Sequence, residues 1–308
     1  MSKKAFIFPG QGSQYAGMGK DLTENFKIAR DVFAEADDAL GFKLSQLCYN
    51  GPEEDLKLTM NTQPAILATS IAVLRVLQSE SDLTPDFLAG HSLGEFSALV
   101  ASGALTLADA LRTVRSRGRF MQEAVPVGLG AMAAILSVEE DILIDICREA
   151  AQGEIVAPAN FNSPGQIVIA GHATAVNRAM EIAKARGFRK AMLLPVSAPF
   201  HSALMVPAGE RLSEVLQQIE IAAMNAPVIS NVEAKANQDP GRVRELLVAQ
   251  VSAPVKWDSS VREMVSLGVT SFLEIGPGKV LSGLVKRIDK EVSTANIEDT
   301  AGLKALQI

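Results

Sequence analysis

Between residues 130 and 196 the apolar segments follow the order strand, helix, strand, strand, helix, strand, and few folds accommodate that order. An apolar run at 131–136 precedes an acidic-capped helix at 139–151, strands at 155–159 and 166–170, a second helix, and a strand at 191–196. The second helix is marked by Val176, Ala179, Met180 and Ala183 at i, i+3, i+4 and i+7, and Gly187 follows as a stop. This βαββαβ order is the ferredoxin-like signature. On either side the pattern is α/β: a short strand at 5–8, helices to about residue 80, and a weak strand at 87–89 ending at Gly90. A helix follows at 95–104, and beyond His201 come helices at 241–251 and 259–267 and a strand at 270–275. Gly276-Pro277-Gly278-Lys279 then opens another helix. The expected fold is α/β, with an α/β-hydrolase-like large domain made of 1–127 and 199–308 and an inserted ferredoxin-like subdomain over 128–198.

At 308 residues, 48% hydrophobic and 21% charged, the chain is long enough for a substantial core. Its 29 Lys plus Arg against 35 Asp plus Glu give a net charge of -6, which speaks against general affinity for nucleic acid or anionic membrane. The N-terminal Met1-Ser2-Lys3-Lys4-Ala5-Phe6-Ile7-Phe8-Pro9 lacks the apolar core of a signal peptide. No apolar run reaches the roughly 20 residues that span a bilayer, and a cytoplasmic protein is expected. Cys48 and Cys147 form no CxxC, so they read as buried thiols rather than as a disulfide or zinc ligands.

Gly90-His91-Ser92-Leu93-Gly94 lies between the strand at 87–89 and the helix that follows. In a strand–turn–helix elbow the serine is exposed on a tight turn, and flanking glycines avoid clashes with neighbouring backbone. The helix N-terminus also brings the Leu93 N–H toward charge that develops on a tetrahedral intermediate. A serine nucleophile needs a base, and the histidines are His91, His172 and His201. His91 adjoins the serine on a turn where neighbouring side chains diverge, so it reads as a structural or substrate-contacting residue. His172 reads as exposed. His201 follows the shaped loop Pro195-Val196-Ser197-Ala198-Pro199-Phe200 and is the base by elimination. No aspartate announces itself as a third partner; Asp109, Asp141 and Asp145 remain open. Gly10-Gln11-Gly12 lacks the third glycine of a dinucleotide fingerprint, and Gly278-Lys279-Val280 lacks the P-loop hydroxyl and its upstream glycine.

Phe8-Pro9-Gly10-Gln11-Gly12-Ser13-Gln14, Gln63-Pro64-Ala65, Gly90-His91-Ser92-Leu93-Gly94-Glu95 and Arg117-Gly118 stand in one order along the chain. Asn160-Phe161-Asn162-Ser163-Pro164-Gly165-Gln166 and Glu274-Ile275-Gly276-Pro277-Gly278 continue the series. Together they resemble the malonyl-CoA:acyl carrier protein transacylases over essentially the whole chain. The resemblance implies a fatty-acid synthesis acyltransferase without a bound cofactor, using malonyl-CoA and acyl carrier protein and acting as a monomer. It implies Ser92 as nucleophile and His201 as base, oriented by the main-chain carbonyl of Gln250. The backbone N–H groups of Gln11 and Leu93 would form the oxyanion hole. Arg117 would hold the malonyl carboxylate, with Gln63, Asn162, Gln166 and His91 as further pocket residues and Phe200 favouring malonyl over methylmalonyl. Bidentate guanidinium–carboxylate pairing makes the arginine role physically sound.

From periodicity alone Arg117 lies at the edge of the stripe Leu107, Ala110, Leu111, Val114, Gly118, Met121, and the run of Arg112, Arg115, Arg117 and Arg119 reads equally as a solvated face. Arg112, Arg115 and Arg119, with Arg186, Arg189 and Lys190, are candidates to meet an acidic carrier or CoA phosphates. Two other functions share these features. A serine thioesterase or esterase would pass the acyl group to water, and a non-catalytic carrier-docking module would lack one of Ser92, His201 or Arg117.

Overall fold

The computed structural model describes residues 2–196 and 198–306; Ser197, inside the loop at 195–200, lies outside them. The fold is α/β, built on two sheets. Five strands of the first, β1 (Lys3–Phe8), β2 (Phe87–Gly90), β7 (Val228–Ile229), β9 (Val269–Ile275) and β10 (Ser293–Ile297), run parallel, and β8 (Ala236–Asn237) closes one edge antiparallel to β7. The order across the sheet is β10-β9-β1-β2-β7-β8. Alternate residues of β1 enter different cores: Phe6 and Phe8 on one face, Ala5 and Ile7 on the other with Trp257, Val261 and Leu284. Both faces are covered, which explains why β1 and β2 read as short unbroken apolar runs. On the first face the helix Thr59–Glu80 is buried on nearly all sides from Thr62 to Leu77, Arg75 apart, and so lacks an amphipathic stripe.

The second sheet is antiparallel, in the order β4-β5-β3-β6, from β3 (Gly130–Leu136), β4 (Val156–Ser163), β5 (Gln166–His172) and β6 (Ala191–Leu193). One face packs Ala133, Ile135, Ile167 and Ile169 against the helices Glu140–Ala151 and Ala173–Ala185 through Leu143, Ile146, Val176 and Ala179. The opposite face, with Met132, Ala134, Val168 and Ala170, joins the main core. This face of the second sheet therefore shares one core with Phe6 and Phe8 of the first. A backbone seam ties β4 to the connection between the helices Pro240–Ser252 and Trp257–Ser266: the Phe161 amide donates to the Val255 carbonyl and the Val255 amide to the Ala159 carbonyl, each at 2.9 Å.

Several boundaries differ from the sequence expectation. β4 runs on to Ser163, so Asn160 and Asn162 lie in a strand, held there by pairing with β5 and with Val255. The strand expected at 191–196 ends at Leu193. The helix expected at 95–104 spans Gly94–Ala101, because Gly103 takes φ +82° and turns the Ala104 amide back to the Leu99 carbonyl. β7, β8 and β10 carry little signal of their own: two have two residues each, and Ser293-Thr294-Ala295-Asn296-Ile297 is a half-polar edge strand. Both cysteines are buried thiols. Among the described residues no helix is long and apolar enough to cross a membrane.

Candidate active site

β1 and β2 are parallel neighbours with Phe8 opposite Gly90, so the turns that leave their carboxyl ends lie side by side. Gln11 stands on the first turn and Ser92 on the second. Ser92 has φ +52°, a left-handed conformation that costs a non-glycine residue about 1–3 kcal/mol. The flanking glycines permit the turn by close approach rather than by unusual φ: a Cβ on Gly90 would sit 1.9 Å from the Gly94 carbonyl carbon, and one on Gly94 would sit 2.1 Å from the Phe8 oxygen. Asn231 secures the bend. Its Oδ1 accepts from the Ser92 amide at 2.6 Å and its Nδ2 donates to the Gly90 carbonyl at 2.7 Å. No acceptor among the described residues takes the backbone N–H of Gln11 or Leu93, whereas those of Ser92 and Gly94 are occupied.

His201 is buried and also has a left-handed φ, +58°. Its Nε2 lies 2.7 Å from Ser92 Oγ, and its Nδ1 faces the carbonyl oxygens of Gln250 at 2.8 Å and Ala253 at 3.2 Å. Two carbonyl acceptors at Nδ1 require the proton there, which leaves the Nε2 lone pair for the serine hydroxyl. Burial, reinforced by the Arg117 charge, pushes the imidazole pKa down to about 3. The ring is therefore a neutral acceptor at ordinary pH. The three aspartates left open lie elsewhere: Asp109 bonds Thr106 and Arg112, Asp145 pairs with Arg148, and Asp141 is exposed.

Arg117 is 1% exposed, which decides between the buried and the solvated readings of its helix, Leu107–Glu123. The cause is local. Gly118 lets that helix close on the helix Thr59–Glu80, where a Cβ would meet the Thr59 oxygen at 2.7 Å, and this approach carries Arg117 inward. Its Nη1 donates to Gln63 Oε1 at 2.8 Å, and its Nη2 to Gln250 Oε1 at 2.8 Å and to Ser92 Oγ at 3.1 Å. Its Nε has no acceptor. Burial lowers the guanidinium pKa to about 10, with Glu95 opposing that shift, so the group stays charged. Arg112 and Arg119 are exposed; Arg112 pairs with Asp109 and Arg119 lies over the Phe120 ring. Arg115 is half-buried over the Phe42 ring, and its Nη1 is enclosed without an acceptor. Arg186 pairs with Glu149.

Ser92, His201 and Arg117 share a cavity of about 110 Å³ with Gln11, Gln63, His91, Asn160 and Phe200, walled by Met121, Met132, Leu194 and Val196. Asn162 is not in it. It lines an adjoining hollow of about 170 Å³ with Gln166 and Leu281, and Gln11 and His91 border both spaces. Asn162 Oδ1 lies 2.8 Å from His91 Nε2, a contact that links the second sheet to the elbow. A larger hollow of about 590 Å³ beside Phe161 and Lys256 contains no histidine to act as a base. His172 is half-buried, its Nδ1 accepting from the Ile155 amide at 2.9 Å. Sequence reasoning passed over Asn231, which has no motif around it, and Glu95, which stood inside the quoted motif without a role.

This arrangement can deprotonate a hydroxyl, stabilise an oxyanion and hold an anion beside the reacting carbon. Residues 5–305 match the family described as the acyl transferase domain. A malonyl CoA-acyl carrier protein transacylase of Bacillus subtilis is 52% identical over 97% of this chain and 94% of its own length. The 1.7 Å crystal structure of an acyl carrier protein S-malonyltransferase from Vibrio cholerae superposes with a TM-score of 0.97 at 48% identity, covering 99% of this chain and 100% of that one. A malonyl-transacylase solved in complex with a holo type II PKS acyl-carrier protein matches with a TM-score of 0.96 at 48% identity, over 99% of this chain and 98% of that one.

Proposed function

The chain belongs to the acyl transferase domain family, and from that membership we propose that it transfers a malonyl group from malonyl-CoA to the phosphopantetheine thiol of acyl carrier protein. One observation carries this reading: a buried, charged arginine stands in the nucleophile's own cavity, held by neutral oxygens and with its Nε unpartnered. A buried cation in that state is completed by an anionic substrate group.

His201 Nε2 takes the Ser92 hydroxyl proton as Oγ attacks the thioester carbonyl. The resulting oxyanion lies against the N–H groups of Gln11 and Leu93. The carbon–sulfur bond breaks, the CoA sulfur takes the proton from His201, and malonyl remains on Ser92 as an ester. In the second half the carrier thiol gives its proton to His201 and attacks that ester through the same oxyanion site, and Ser92 Oγ leaves with the proton restored. The Gln250 and Ala253 carbonyls hold the imidazole tautomer in place of a carboxylate. Arg117 and Gln63 keep the malonyl carboxylate away from the reacting carbon, Phe200 limits width beside it, and His91 and Asn162 line the approach through the adjoining hollow.

The domain organisation that accompanies this reading is a discontinuous α/β-hydrolase-like catalytic domain over 1–127 and 199–308, with a ferredoxin-like subdomain over 128–198. The protein works as a cytoplasmic monomer in fatty-acid synthesis. Replacing Arg117 by Ala tests the substrate assignment: malonyl transfer to a holo carrier falls by about two orders of magnitude or more while transfer of uncharged acyl groups improves relative to it. Retained malonyl preference in that variant overturns the assignment.

A further inference from the structure

Resting on the malonyl-transfer reading, we propose that Glu95 is a positioning residue that sets charge selectivity at Arg117 through the side-chain amide of Gln250. Glu95 lies in the first turn of the helix Gly94–Ala101 and is 3% exposed. Its Oε2 accepts from Gln250 Nε2 at 2.8 Å and from the Asn231 amide at 3.0 Å. The other end of the Gln250 amide, Oε1, accepts from Arg117 Nη2 at 2.8 Å. An amide has a donor end and an acceptor end, and the Glu95 carboxylate, with the Ser92 carbonyl, holds the donor end so that the acceptor end faces the arginine.

The spacing has a chemical consequence. A carboxylate bonded directly to Arg117 would occupy the guanidinium with a permanent partner. With one amide interposed, Glu95 supplies counter-charge for a buried cation yet leaves the cation free to bind a substrate carboxylate. The same carboxylate also supports the serine turn. Gln250 Nε2 donates to the Ser92 carbonyl at 2.9 Å, and Asn231, whose amide Glu95 accepts, holds the Ser92 amide.

Charged and polar groups face Glu95 from three elements: Arg117 from the helix Leu107–Glu123, Gln250 from the helix Pro240–Ser252, and Asn231 from the loop after β7. Burial raises the Glu95 pKa to about 7 against the lowering effects of all three. An ionised Glu95 competes with a bound malonyl carboxylate for the field of Arg117, and a protonated one does not. Preference for malonyl over acetyl therefore increases as pH falls through about 7.

The test compares the full chain with Glu95→Gln and Glu95→Ala in transfer from malonyl-CoA and acetyl-CoA to holo acyl carrier protein, across pH. Gln keeps an acceptor for Gln250 and Asn231 but removes the charge. The malonyl-to-acetyl ratio of kcat/KM then rises about fivefold at neutral pH, through the malonyl KM, and becomes independent of pH. Ala removes one of the two acceptors of Gln250 Nε2, leaving the Ser92 carbonyl alone to hold it, and the ratio falls about tenfold. If the Ala variant does not fold, the Gln variant and its pH profile decide alone. Equal losses on both donors, or a wild-type ratio and pH profile in the Gln variant, overturn the role of Glu95. Failure of the wild-type chain to transfer malonyl overturns the reaction itself, which is a separate result.

Discussion

Ser92 and His201 both hold left-handed backbone conformations, at φ +52° and +58°, and surrounding hydrogen bonds keep each in place. For Ser92 that hold is the Asn231 side chain. Asn231→Ala removes both of its bonds to the elbow, and we expect kcat to fall about 10- to 100-fold with little change in malonyl KM; an unchanged kcat refutes its positioning role. For His201 the prediction concerns protonation. Its folded pKa is depressed below the ordinary value of about 6.5, so as pH falls from there toward about 3 the unfolded chain binds a proton that the folded chain does not. Stability contributed by the neutral ring is thus lost as pH falls through that window. Imidazole nitrogen NMR should show a neutral ring with the proton on Nδ1 down to at least about pH 5, and a titration near 6.5 contradicts the buried-base geometry. The meeting of Ser92 with His201 was legible in the sequence because a five-residue motif and a count of three histidines single out that pair. Asn231 was not, since its partner lies 139 positions away and a lone Asn in a loop has many local uses.

At the scale of elements, the elbow works because β1, β2 and the helix Gly94–Ala101 approach at glycine distance. Gly94→Ala places a methyl 2.1 Å from the Phe8 oxygen, a contact with backbone that rotamer adjustment cannot relieve. We expect a loss of about 2–4 kcal/mol in chemical unfolding together with loss of activity; a variant of wild-type stability would mean the helix can shift. Strand–turn–helix and βαββαβ orders were readable because their apolar runs are flanked by Gly, Pro and acidic caps. Arg117 shows where that reading stopped. Periodicity put it at the edge of its stripe, and its depth depends on Gly118 meeting a helix more than fifty positions earlier in the chain, a fact about packing rather than pattern. β10 and the Asn160–Asn162 stretch were missed for a related reason, because polar residues are held in strands there by neighbours that are distant in sequence.

At the scale of the whole molecule, the site is a seam. The first sheet supplies Gln11 and Ser92, the helices on it supply Gln63 and Arg117, and the second sheet closes the cavity with Met132 and Asn160. Because Met132, Ala134, Val168 and Ala170 belong to the main core, the second sheet is not an independent lobe energetically. Calorimetry should give one cooperative transition, and two resolved transitions would contradict the shared core.

The proposed reaction turns on one covalent species. The chain incubated with malonyl-CoA and no carrier, then quenched and digested, should show by mass spectrometry a malonyl ester on the peptide bearing Ser92. The ester should persist until holo acyl carrier protein is added and then pass to the carrier. Continuous release of CoA and free malonate, or an adduct on any other residue, would contradict the account.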